Sequence, residues 1–173
     1  MKWIKGIMVT LVLMGAMACN EDVEPYDAEA QLQIDGAKID HHLSTKGLQA
    51  QKSQSGIRYI ITTEGTGELP KQGEKVKVNY KLYRFSGELL DTNIESLAKD
   101  KNIYNPQRDY KPLEFQLGYA DIIPGFQLST YLLKEGGEGD FYIPSVLAYR
   151  NAGAGKIYPN ENLNFKIELI EIN

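Results

Sequence analysis

The sequence predicts an α+β fold in which an antiparallel β-sheet wraps around a single short helix, with an N-terminal helical arm ahead of it. Three observations carry this expectation. From residue 56 onward, β-rich stretches follow one another with glycine turns between them; two of these stretches alternate apolar and polar residues; and only one stretch there has helical character. The chain has 173 residues, 42% hydrophobic and 24% charged, which suffices for one domain with a real core and a short appendage. Its formal charge of -4, from 23 acidic against 19 basic side chains, provides no basic face for phosphates, so no nucleic acid is expected as a partner.

At the start, Lys2 and Lys5 precede an apolar run from Ile7 to Met14 and the small-residue run Gly15-Ala16-Met17-Ala18. The apolar run is too short to span a bilayer, so residues 1–18 read as a signal peptide. Cys19, the single cysteine, follows at once and excludes an intramolecular disulfide. A cleavage site ending at cysteine resembles a bacterial lipoprotein box, with Ala16 where such boxes more often have Leu. The alternative is an ordinary signal peptide beside a chance cysteine. Lipidation of Cys19 would anchor the chain at the membrane of the cell envelope, with the outer membrane as the expected place. Asn20-Glu21-Asp22 resembles the acidic tether of some surface lipoproteins of Bacteroidetes-type bacteria, and equally fits a solvated linker.

Residues 19–54 form the expected tether and arm. Asp27 can cap a helix carrying Leu32, Ile39 and Leu43 on one side and stopping at Gly47-Leu48. Asp35-Gly36 would also suit a hairpin turn. His41 and His42, being adjacent, point about 100° apart on a helix and read as surface residues rather than metal ligands. Residues 49–55 are small and polar, and read as a linker.

Residues 55–173 form the expected main domain. Strands are predicted over residues 56–63, 75–83, 114–117, 139–143 and 163–172. In the second, Val76, Val78, Tyr80 and Leu82 alternate with Lys75, Lys77, Asn79 and Lys81; in the last, Leu163, Phe165, Ile167 and Leu169 recur at period two. The one helix is predicted over residues 126–134, ended by Glu135-Gly136-Gly137. Zinc-protease, dithiol, serine-hydrolase and P-loop signatures are missing, and the glycine pairs at Gly65-Thr66-Gly67 and Gly153-Ala154-Gly155 read as turns.

The order of short motifs is more informative. Gly65-Thr66-Gly67 precedes Pro70, followed by Val76-Lys77-Val78-Asn79-Tyr80, Glu88-Leu89-Leu90-Asp91, Phe115-Gln116-Leu117-Gly118 and Ile122-Ile123-Pro124-Gly125-Phe126. Lys134-Glu135-Gly136-Gly137, Ile143-Pro144, Ala148-Tyr149, Ile157-Tyr158-Pro159-Asn160 and Leu163-Asn164-Phe165 complete the series. Together they resemble an FKBP-type peptidyl-prolyl cis-trans isomerase. Each aromatic alone reads more readily as core than as site; their joint placement carries the resemblance.

The resemblance implies an FKBP-like fold and a prolyl-peptide pocket. Its catalytic positions would be Tyr80, Asp91, Phe126, Tyr149 and Phe165, with Leu90, Leu113, Phe115, Ile122, Ile123 and Ile157 binding substrate. Phe126 would form the floor, where the family usually has Trp. Tyr149 would carry the hydroxyl that bonds a ligand carbonyl, and Asp91 would be a buried carboxylate bonded to the Tyr80 hydroxyl. No cofactor and no metal are implied. Proline-containing polypeptides are the implied partners, with macrolide immunosuppressant-type ligands possible.

Two departures from the family stand out. Leu90 and Leu113 replace frequent aromatics, and residues 92–112 are longer than in a minimal domain, which suggests either a flap that shapes substrate choice or a passive surface loop. Arg150 stands where the family usually has Gly, so a positive φ there would strain the Tyr149 loop. Three functions fit the sequence: an isomerase for exported proteins, a prolyl-peptide binding module or chaperone with weak turnover, and a structural surface lipoprotein.

Overall fold

The computed structural model describes residues 25–173, so the expected signal peptide, Cys19 and the Asn20-Glu21-Asp22 tether lie outside the described residues. Asp27 is the N-cap of helix α1 (Ala28–Thr45): its Oδ1 accepts the backbone N–H groups of Glu29 and Ala30, each at 3.0 Å. The helix ends in a left-handed glycine, Gly47 at φ 65°, with the Leu48 amide donating to the Leu43 carbonyl at 2.9 Å. Asp35-Gly36 thus lies within a helix and not in a hairpin, and the reason is tertiary. The Arg58 guanidinium lies against Gly36, where a Cβ would stand 3.2 Å from Nη2.

Arg58 is buried, and donates from Nε and Nη2 to both carboxylate oxygens of Asp40, at 2.8 and 2.6 Å, and from Nη1 to the Gly56 carbonyl at 2.6 Å. Ile39 and Leu43 pack with Tyr142 in a small apolar cluster. Such a bidentate pair together with an apolar patch docks the arm on the sheet. The expected linker after it contributes β1 (Gln51–Lys52), which pairs antiparallel with β2 (Arg58–Thr63).

The remaining strands are β3 (Lys75–Tyr83), β4 (Leu89–Thr92), β5 (Leu113–Gln116), β6 (Glu138–Ile143) and β7 (Leu163–Ile172). All pairings are antiparallel, in the order β1-β2-β6-β7-β3-β4, with β5 also on β3. One side of β3 is filled by β7. Its other side is shared: β4 pairs with residues 81–83 and β5 with residues 75–78, so the segment between β4 and β5 emerges where this edge splits.

Helix α3 (Pro124–Thr130) lies across the sheet, beginning two residues earlier than expected because Pro124 takes the first helical turn. The expectation of a single helix in the main domain is corrected by α2 (Glu95–Asp100), supported by a Glu95–Lys99 ion pair at 2.6 Å and by Ala98, which is fully buried. The apolar positions of β3 and β7, with Phe141 and Ile143 of β6, face Phe126 and Leu133 in one core. At about 1.5–3 kcal/mol for each large apolar side chain buried, this layer supplies the main favourable term of folding. No helix among the described residues is long and apolar enough to cross a membrane.

Candidate active site

The start of α3, strands β3, β4, β5 and β7, and the loop after β6 converge on a cavity of about 460 Å³. Tyr80, Asp91, Leu113, Ile122, Ile123, Phe126, Tyr149 and Phe165 line it, together with Leu82, Asp121 and Pro124, which sequence reasoning did not select. Leu82 was within reach of that reasoning, since it shares the period-two face of Tyr80 on β3. Leu90, Phe115 and Ile157 do not line the cavity. Leu90 is left without a partner where the β3–β4 register shifts between the pairs Leu82–Asp91 and Tyr83–Leu89, and it packs on the core, as does Ile157. Phe115 is buried behind the floor, its ring 5.9 Å from that of Phe126.

Phe126, 2% exposed, is the hub of the aromatic lining. Its ring meets Tyr80 at 5.7 Å and 84° and Phe165 at 5.2 Å and 74°, edge-to-face geometries that each add about 0.5–1.5 kcal/mol beyond area burial. At the rim the Tyr80 hydroxyl donates to Asp91 Oδ2 at 2.6 Å. Asp91 is not the buried carboxylate expected, since its side chain is 39% exposed. A carboxylate left partly exposed at a cavity mouth carries a smaller desolvation cost than a fully buried one.

Sequence reasoning missed Arg108. It pairs with Asp91 Oδ1 through Nη1, and its Nη2 donates to the Tyr80 hydroxyl at 2.7 Å, so Tyr80, Asp91 and Arg108 form a closed triangle. Burial above all, then the hydrogen bond to Asp91, pushes the Tyr80 phenol well above its ordinary value, although Arg108 works against this. Burial, then the Asp91 charge, also raises the Tyr149 phenol. Both hydroxyls therefore remain protonated donors at neutral pH.

The segment between β4 and β5 delivers Arg108 to the rim and is internally ordered. Asn93, at its start, is buried: its Oδ1 accepts from the Tyr80 amide at 2.9 Å, and its Nδ2 donates to the carbonyls of Val78 at 3.0 Å and Lys111 at 3.1 Å. This side chain clamps both ends of the segment to the split edge of the sheet. Beyond it Tyr104 and Tyr110 stack at 5.4 Å, and Arg108 lies 5.3 Å from the Tyr110 ring centre.

Arg150 has a positive φ, 51°, the case in which a residue with a Cβ is strained, and holds the Asn160 amide at 2.7 Å on its carbonyl. Left-handed backbone costs a residue with a Cβ about 1–2 kcal/mol, while glycine loses up to about 1 kcal/mol in unfolded-state entropy. Arg150→Gly is therefore expected to stabilise the protein by roughly 0.5–1 kcal/mol in urea unfolding, by the difference of those two terms. A lower midpoint would show that the contact of Arg150 Nε with the Val146 carbonyl, at 3.4 Å, outweighs the strain. Among the described residues no three His, Cys, Asp or Glu side chains gather as metal ligands do, and His42 instead stacks on Phe85 at 4.4 Å.

An antiparallel sheet closed on one helix, whose first turn floors a ligand-sized aromatic cleft, defines a class of α+β domain built around a single concave site. Comparison with known proteins narrows this further: the sequence profile of the FKBP-type peptidyl-prolyl cis-trans isomerases matches residues 66–170, and the chain belongs to that family. A probable FKBP-type peptidyl-prolyl cis-trans isomerase FkpA of Neisseria meningitidis serogroup B is 36% identical over 147 residues, which are 84% of this chain and 48% of that protein. FkpA of Escherichia coli K12 is 35% identical over 120 residues, 69% of this chain and 39% of its own. The chain thus spans half or less of the length of these relatives. The crystal structure of FkpA from Escherichia coli superposes with a TM-score of 0.62 at 28% identity, covering 84% of this chain and 62% of that one. A peptidyl-prolyl cis-trans isomerase from Pseudomonas syringae pv. tomato gives 0.62 at 25% identity, covering 86% and 98%.

Proposed function

We propose that the protein is a peptidyl-prolyl cis-trans isomerase that speeds X-Pro rotation during folding of proteins in the cell envelope. The observation that carries this reading is the convergence of Tyr80, Phe126, Tyr149 and Phe165 on one apolar cavity beside the Asp91–Arg108 pair. Rotation about an X-Pro bond requires no nucleophile and no proton transfer. Its barrier of ~18–20 kcal/mol is amide resonance, lost as the bond twists. A twisted amide has a less polarised carbonyl, so an apolar aromatic cavity disfavours it less than it disfavours the planar, hydrated ground state. Catalysis is then preferential binding of the twisted form. Lowering the barrier by ~5 kcal/mol accelerates exchange several thousand-fold.

In this reading the proline ring rests on Phe126 between Tyr80 and Phe165, and Tyr149 donates to the substrate carbonyl. Asp91 and Arg108 fix the Tyr80 ring as one wall, and the same cavity would admit macrolide-type ligands. Residues 55–173 carry the activity, residues 19–54 hold it at the membrane, and lipid on Cys19 anchors it, with the outer membrane as its place.

The test is an isomerisation assay on a proline-containing tetrapeptide with the full mature chain. Acceleration over the spontaneous rate is expected, with kcat/KM flat between pH ~6 and ~9, because both phenols titrate above their usual range of about 10. Arg108→Ala, which frees the Tyr80 ring, is expected to lower kcat/KM by about tenfold, or ~1.4 kcal/mol of transition-state binding. A spontaneous rate with wild-type protein would overturn the reading. Folding assistance without peptide turnover would favour a prolyl-peptide binding module or chaperone instead.

A further inference from the structure

The docking of α1 leaves one group unexplained. Asp35, halfway along the helix, is fully buried, and its side-chain partners are neutral: Ser145 Oγ donates to Oδ2 at 2.6 Å and Gln31 Nε2 donates to Oδ1 at 2.8 Å. The Asp35 carbonyl accepts from Asn162 Nδ2 at 3.1 Å, and Asn162 Oδ1 in turn accepts from the Ser145 amide at 3.0 Å. Asp35, Ser145 and Asn162 therefore form a closed ring of hydrogen bonds, all three buried.

This ring joins both chain segments that supply the far wall of the cavity. Ser145 opens the 3₁₀ turn Ser145–Leu147, its carbonyl accepts the Ala148 amide at 2.9 Å, and Tyr149 comes next. Asn162 immediately precedes β7, which carries Phe165. Between them runs a stretch without strands that contains Arg150 at positive φ, so little regular structure fixes where Tyr149 lies. Docking of the arm does not require the ring, since Arg58–Asp40 and the Ile39–Leu43–Tyr142 cluster already supply it. A buried carboxylate among neutral donors is costly compared with an apolar side chain, so as mere packing it would be a poor choice.

We propose that Asp35 is a positioning residue for the active site: the N-terminal helix, through Ser145 and Asn162, sets the Tyr149 wall of the cavity. The arm is then a working part of the isomerase and not only a spacer to the membrane. This inference rests on the isomerase reading, because Tyr149 matters to turnover only there.

The test uses the full chain and reads kcat and KM on a proline tetrapeptide together with amide hydrogen exchange. Asp35→Ala is expected to raise KM and lower kcat/KM by about tenfold, because a wall shifted by a fraction of an ångström loses oriented contact. Asp35→Asn keeps an acceptor for Ser145 Oγ and is expected to restore kcat/KM to within about twofold, the size of a modest hydrogen-bond change. Ser145→Ala removes the same bond without touching a carboxylate, keeps the test open where Asp35→Ala fails to fold, and is expected to give the same KM rise. In both alanine variants exchange is expected to quicken at residues 145–149 and to stay unchanged in β3 and β7. Wild-type KM and wild-type exchange at residues 145–149 in Ser145→Ala would overturn the proposal. A wild-type chain without turnover whose Ser145→Ala variant still quickens exchange there would overturn the isomerase reading and leave the structural tie standing.

Discussion

Phe126→Ala is expected to lower kcat/KM by at least about a hundredfold, equivalent to ~2.7 kcal/mol of lost transition-state binding. It is also expected to destabilise the fold by about 3–5 kcal/mol, the usual cost of removing a buried phenyl ring. Both effects have one origin. Phe126 is at once the largest side chain buried under the cavity and the ring against which Tyr80, Phe115 and Phe165 are set. Its loss opens the floor to water, and a hydrated cavity no longer favours the less polar, twisted amide. It also frees three rings whose mutual angles depend on it. The two consequences separate experimentally: activity is measured at a temperature where near-ultraviolet circular dichroism shows the variant folded, and Phe126→Leu serves as the volume-retaining control. A folded Phe126→Ala protein with wild-type kcat/KM would remove the aromatic floor from the mechanism.

Legibility in the sequence followed the range of the interactions. β3 and β7 were readable because each alternates over nine or ten residues, with one face in the core. β1, with two residues, and β4, with four, are too short to show a period, and exist because β2 and β3 offer them an edge. Gly36 made α1 ambiguous for the same reason. Locally a glycine after an aspartate suits a turn, and only Arg58, brought in from another strand, explains why a helix would place one there. At the site, motif order reached Tyr80, Asp91, Leu113, Phe126 and Phe165, which line the cavity, but also Leu90 and Phe115, which do not, and Arg108 arrives through an insertion with no motif of its own. Asp91 was placed correctly at the Tyr80 hydroxyl, but its exposure depends on how the rim opens, which no local pattern encodes.

Gly125→Ala is expected to cost about 1–3 kcal/mol of stability, as overpacking does, and to lower turnover with it. Gly125 sits in the first turn of α3 at an ordinary helical φ, so conformational freedom is not why glycine stands there. Space is the reason. A Cβ would lie 2.3 Å from Ile143 Cγ2 and 3.0 Å from the Leu147 carbonyl oxygen. Ile143 is fully buried and cannot swing away, and Leu147 belongs to the turn that leads to Tyr149. A methyl group must therefore lift α3, and Phe126 beside it, or displace the Tyr149 loop. Either movement widens the cavity between floor and wall. A double-mutant cycle isolates this cause: Ile143→Ala alone is expected to cost about 2–5 kcal/mol by leaving a cavity, yet it also removes the methyl that the new Cβ meets. The pair is then expected to be less destabilising than the sum of the singles by ~1 kcal/mol or more, beyond the roughly 0.3–0.5 kcal/mol within which independent sites add. Strict additivity would show that the glycine of the Ile-Pro-Gly-Phe run is not required by the close approach of α3 to β6.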